Sequence, residues 1–141
     1  MSPTEPDSHA LNRDSWDRVA SFWQKNIYTS RWRTASTEPR KILLEEERTY
    51  FGDLRGKDVC VLGSGNAVRD FALVGLGANV TSVDISQRQL DYAAEKADRL
   101  GLRLHFLRAD VLDLSPLADQ TFDVVYTSFH VATWVRDLKG Y

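Results

Sequence analysis

Four groups of residues have types and spacing that could do chemistry together. The first is a glycine turn, Gly63-Ser64-Gly65-Asn66. Glycines there let the backbone turn sharply and let a ligand approach the peptide plane. A helix that starts at Asn66 aims its N-terminal amides at that ligand and favours negative charge. The second is Asp84, 21 positions after Gly63. That is the reach at which a carboxylate accepts hydrogen bonds from two ribose hydroxyls. The third is Asp110, placed to meet the exocyclic amine of an adenine or a neighbouring backbone amide. The fourth is Ser128-Phe129-His130. His130 reads either as a general base for an acceptor that must lose a proton or as a packed histidine that supports a loop. His9 lies in the N-terminal tail and His105 at an outward position on a strand, so neither takes a role. No metal-ligand spacing is present.

These groups need a scaffold that brings them to one place. Asp58 to Ser86 reads as strand, tight turn, helix, strand and acid, the mononucleotide-binding half of a Rossmann-like sheet. The strands are Val59–Leu62 and Val80–Val83. A helix from Gln87 to Leu100 follows, with Ser86 as N-cap, Gln89 completing a capping box and Gly101 ending it. Arg103–Arg108 and Phe122–Thr127 are the third and fourth strands. The segment Leu112–Gln120 is too short for a crossover helix. The fold class is α/β, an open parallel sheet in the order 3-2-1-4 preceded by two N-terminal helices. All four groups then sit at carboxyl ends of strands, outside which such sheets bind ligands.

Residues 1–13 read as a loose tail, 14–56 as an N-terminal helical cap and 57–141 as a partial Rossmann-like cofactor-binding domain, one structural unit overall. The first helix spans Asp14 to Ile27, with Trp16, Val19, Ala20, Trp23 and Ile27 on its apolar stripe. Tyr28–Thr37 is a loop. The second helix spans Glu38 to Phe51, capped by Ser36 or Thr37, with Pro39 in its first turn. Trp23, Tyr28 and Trp32 offer an aromatic wall for a substrate.

Composition narrows the class. The 141 residues are 43% hydrophobic and 27% charged, with a net charge of −2 and no basic block. That describes a globular protein with no nucleic-acid or anionic-membrane partner. The lone cysteine, Cys60, falls inside the first strand and reads as a buried structural thiol. No run of transmembrane length and no signal peptide are present, so the expected localisation is cytoplasmic.

The sixth position of the glycine motif is Val68, where dinucleotide-binding turns carry glycine or alanine for close helix–strand packing. This favours a smaller adenosyl ligand over NAD. Taken in order, VLGSGNA, VTSVDIS, FLRADVLDL and FDVVYTSFHV resemble the successive motifs of class I S-adenosylmethionine-dependent methyltransferases, the small-molecule type most closely. The resemblance covers about Trp16 to Leu138. It implies S-adenosylmethionine as cofactor, with Gly63, Ser64 and Gly65 bordering its methionine moiety and Asn66 beside them. It implies Asp84 on the ribose, Ile85 packing on the adenine, Asp110 facing the adenine amine with Val111 beside it, and Ser128 and Phe129 near the transferred methyl. Ala67 stands where the family often has glycine, and Ser64 where a cysteine or other small residue is common.

The family sheet has seven strands and this sequence supplies four before Tyr141. The helices after strands one and two should cover one face, leaving the fourth strand as an open apolar edge. Three readings follow: a fragment of a longer enzyme, a chain that closes the edge by pairing with a second copy, or a reduced binding module. The functional alternatives to methyl transfer onto a small-molecule acceptor are a non-catalytic adenosyl-ligand-binding or dimerising module and an NAD-binding domain.

Overall fold

A computed structural model describes residues 7–26, 30–127 and 131–141. Four parallel strands form one sheet in the order β3-β2-β1-β4, as the sequence predicts. They are β1 (Asp58–Leu62), β2 (Asn79–Asp84), β3 (His105–Arg108) and β4 (Val124–Thr127). Helix α1 (Ser8–Asn26) and helix α2 (Glu45–Phe51) precede β1. Helix α3 (Val68–Gly75) joins β1 to β2, and α4 (Gln87–Leu100) joins β2 to β3.

Register explains the core. Val59 pairs with Val80 and with Val124, so alternate residues of neighbouring strands share a face. On one face Val59, Val61 and Val80 pack beneath Phe71, Ala72 and Leu73 of α3 and Ala93 and Ala97 of α4. The other face holds Cys60, Leu62 and Val83 under the segment that carries Ala109, Leu114 and Leu117. Val125 of β4 stands 60% exposed on that second face. Parallel sheets are ordinarily covered on both sides, so this face is the thinly clad one among the described residues.

Several local expectations need correction. α1 begins at Ser8, inside the stretch read as a loose tail, because Asp7 Oδ1 accepts the N–H groups of His9 and Ala10 and caps it. Its docking face is Ala20 and Gln24 with half-buried Trp16 and Trp23, whereas Val19 and Phe22 face water. Ile27 lies outside the described residues. The second helix is broken into a 3-10 turn, Pro39–Lys41, and α2. Glu47 Oε2 reaches back to the Leu44 N–H at 2.7 Å and starts α2 there, so neither Ser36 nor Thr37 caps it. Ser86 does cap α4, accepting the Gln89 N–H at 3.2 Å. The reciprocal half of the capping box is absent, since the Gln89 side chain instead accepts from Gln24 Nε2 of α1 at 2.8 Å.

The N-terminal segment is seated by close backbone approach. A side-chain carbon on Gly75 would lie 2.0 Å from the Ser36 carbonyl oxygen. That oxygen belongs to the main chain and cannot swing aside. Gly75→Ala should therefore destabilise the fold by about 2–3 kcal/mol, seen as a lower urea midpoint at unchanged slope. A midpoint equal to that of the wild type would show that this approach is not a constraint.

Candidate functional site

The carboxyl ends of β1, β2 and β3 are laced together by main-chain bonds. The Gly63 and Ser64 N–H groups both donate to the Val83 carbonyl, at 2.8 and 3.0 Å. The Ala109 N–H donates to the Asp84 carbonyl at 3.1 Å. The glycine turn is thus folded over the end of β2. Gly63 and Gly65 have φ of +69° and +53°, in the left-handed region that glycine enters at little cost. A side-chain carbon on Gly63 would strike the Val131 side chain, while the space over Gly65 is open. Ala67 also has φ +57°, which explains why glycine is common there in the resembling family.

Asp84 is the hinge of this arrangement. Its Oδ2 accepts the Gly65 N–H at 2.8 Å and its Oδ1 accepts the Ser86 N–H at 2.9 Å. One side chain therefore fixes the turn after β1 and the entry to α4. It is only 8% exposed, and burial raises its pKa above the ordinary carboxylate value. The two backbone N–H groups pull the other way, and the charge of Asp17 adds to the rise.

The other predicted ligand-facing residues divide. Asn66 Oδ1 accepts the Val68 N–H at 3.3 Å from just ahead of α3, which starts at Val68 rather than at Asn66. The Ser64 hydroxyl is buried with no hydrogen-bond partner among the described residues. Ile85 is half-buried beside Asp84, and Val111 packs on the second face. Asp110 Oδ1 accepts the Leu112 N–H at 2.9 Å, and its Oδ2 meets His9 Nδ1. Ser128, Phe129, His130 and Tyr28 lie outside the described residues. Trp23 sits 6.4 Å from Trp16, and Trp16 meets Trp134 edge-on at 5.2 Å. Trp32 is buried in the core against α3 and α4, with the Arg33 guanidinium 4.7 Å from its ring and Lys96 5.8 Å away. It packs along the side of α4 in the core, apart from the Trp16–Trp134 contact.

Three residues escape sequence reading. Asp17 Oδ1 takes the Ser86 hydroxyl at 2.5 Å and the Arg88 N–H at 3.2 Å, which pins α1 across the end of β2. His9 reaches Asp110 from the supposed tail. Asp70 lies fully buried in the first turn of α3, its two oxygens and the Ser82 hydroxyl all without hydrogen-bond partners among the described residues. Burial pushes Asp70 up to about 7, the nearby Ser82 hydroxyl opposes this, and the Asp84 charge adds to it. An acid inside the apolar run VRDFALV was the available signal. Among the described residues, no group of His, Cys, Asp or Glu could hold a metal, and no helix is long and apolar enough to cross a membrane.

The sheet order, the glycine turn and the acid that clasps it define a class of nucleoside-cofactor-binding α/β domains. A family profile described as "Methyltransferase domain" matches residues 60–141. The chain belongs to the class I S-adenosylmethionine-dependent methyltransferases. It is 28% identical over 117 residues to YbaJ, an uncharacterized methyltransferase of Bacillus subtilis (strain 168), covering 73% of this chain and 46% of that protein. It is 41% identical over 75 residues to the cypemycin N-terminal methyltransferase of a Streptomyces species, covering 53% of this chain and 29% of that one. The chain thus spans less than half the length of these relatives. The magnesium protoporphyrin IX methyltransferase of Synechocystis PCC 6803, solved with bound S-adenosylmethionine, shares the fold with a TM-score of 0.66 at 19% identity. That match covers 89% of this chain and 64% of that one.

Proposed function

We propose that this chain binds S-adenosylmethionine at the carboxyl ends of β1, β2 and β3 and serves methyl transfer to a small-molecule acceptor. The observation that carries the reading is the clasp of the Gly65 N–H by Asp84. It sets a carboxylate and a bare glycine turn side by side, which suits a ribose next to a short polar chain. The open space over Gly65 and the unpartnered Ser64 hydroxyl fit the same ligand.

In this reading Asp84 holds the ribose hydroxyls, the residues from Gly63 to Asn66 border the methionine moiety, and Asp110 accepts from the adenine amine. Ile85 and Val111 flank the adenine, and Ser128 and Phe129 lie near the transferred methyl. The sulfonium of the cofactor supplies a methyl group already activated for attack. The protein has to align the acceptor and exclude water, and alignment alone is worth roughly 7–11 kcal/mol. Trp16, Trp23 and Trp134 supply apolar surface for that purpose. His130 takes the proton of an acceptor that must lose one. A cytoplasmic setting is part of the reading.

Titration calorimetry with S-adenosylmethionine, S-adenosylhomocysteine and NAD tests this reading. Micromolar binding of the first two and none of NAD is expected. Binding of NAD alone would overturn it in favour of a dinucleotide site.

A further inference from the structure

Helix α1 is fastened to the segments after three different strands. Asp17 holds Ser86 and Arg88 after β2. His9 Nδ1 meets Asp110 Oδ2 after β3. Asn12 Nδ2 donates to the Trp134 carbonyl at 2.9 Å after β4, beside the Trp16–Trp134 edge contact. The helix therefore crosses the whole row of strand tips where the cofactor is proposed to lie.

The contact at Asp110 differs from the others. One oxygen of this carboxylate is spent on its own loop, at the Leu112 N–H. The remaining oxygen, Oδ2, is taken by a side chain from the far end of the sequence. The pair is reached by water, with the two side chains 20% and 24% exposed. The rear of α1 is held separately, by Ala20 in the core, by Gln24 bonded to Gln89, and by Lys96 bonded to Gln24. The rear of the helix thus has anchors that do not involve Asp110.

We propose that His9 is the latch of a cofactor gate, holding Asp110 Oδ2 in the protein alone and yielding it to the exocyclic amine of adenine on cofactor entry. The inference rests on Asp110 as the adenine acceptor. Two donors compete for one oxygen, so the apparent affinity falls by the fraction of time that the carboxylate is free. For a partly exposed pair that fraction is about a fifth, and the latch weakens binding about fivefold.

The test is titration calorimetry and stopped-flow association with S-adenosylmethionine and S-adenosylhomocysteine, on the wild type, His9→Ala and His9→Gln. His9→Ala should bind about fivefold tighter and associate faster, with an unchanged far-UV spectrum. His9→Gln keeps a donor and should fall between. In an Asp110→Asn background the two residues at position 9 should bind alike. If the wild type binds and His9→Ala binds equally well or more weakly, the latch is wrong and the cofactor reading stands. A gain that persists in the Asp110→Asn background also overturns the latch, because it would not act through that oxygen. A wild type that binds neither ligand overturns the cofactor reading and the latch with it.

Discussion

An Asp84→Ala chain will bind S-adenosylmethionine at least about a hundredfold more weakly than the wild type. In the proposed reading the carboxylate accepts two ribose hydroxyls, and hydrogen bonds to a charged group contribute about 1.5–3 kcal/mol each. Losing two gives roughly 3–6 kcal/mol, or two to four decades in affinity. The side chain also clasps the Gly65 and Ser86 N–H groups, so its removal loosens the turn that faces the ligand. Stability should move much less than affinity. Removing a buried carboxylate relieves its desolvation, while the two orphaned N–H groups cost a comparable amount. Asp84→Asn keeps the shape and one acceptor and should fall between. Calorimetry beside urea unfolding checks both halves. Unchanged affinity in Asp84→Ala would remove Asp84 from the ribose.

The ligand-free protein will be less stable at pH 7.5 than at pH 5, the reverse of the common pattern. The main cause is Asp70, whose carboxyl burial pushes up to about 7. Its unfolded value is about 3.9. Between these values the folded chain binds more protons than the unfolded one, so the slope of stability with pH is negative. The stabilising difference is complete below pH 4 and is lost as pH rises through 7. A gap of about three pH units corresponds to something on the order of 4 kcal/mol. Asp84, raised for the same reason, adds in the same direction. Lys96 works from the other side. Burial lowers it to about 8, so the folded chain holds fewer protons above that value, and stability climbs again toward pH 10. Chemical unfolding across pH should show a trough between 7 and 8. Asp70→Asn should flatten the acid limb and Lys96→Met the alkaline one. A flat profile in the wild type would place a counter-ion beside Asp70.

Much of the scaffold was legible because it is written in local chemistry. Ser86 and Gly101 mark the ends of α4 to the residue, since an N-cap oxygen and a left-handed glycine are decided within one turn. Strand order followed from the glycine turn, which marks the first strand as the point where the order reverses. Asp84 and Asp110 were found because acids at strand tips are read by spacing. What escaped was decided at long range. The Gln89 side chain left its capping partner for Gln24, 65 residues away. Trp32, an aromatic in an irregular segment, looked like a pocket wall and is core, because the face of α4 it covers is not visible in its own neighbourhood. Val19 matched a helical stripe, but the docking face of α1 is rotated toward Gln24 and Asp17 by their polar bonds to α4. His9 falls in the stretch that reads as a tail, yet the Asp7 cap extends α1 far enough to reach Asp110.

The way α1 is fastened also bears on how the chain acquires its shape. Its hydrogen bonds to the rest of the molecule join residues separated by 65 to 122 positions. Loops of that length close late, because their entropy is lost before the contacts that reward it are made. During synthesis α1 leaves the ribosome before the sheet does, and its anchors at Ser86, Arg88 and Trp134 come far later. Until then Trp16 and Trp23 belong to an amphipathic segment with nothing to rest on. Folding should therefore proceed in two stages, with the sheet and its two crossover helices assembled first and the N-terminal helix docking last. That would make α1 the last of these elements to be protected from hydrogen exchange, and the natural point of capture for a chaperone.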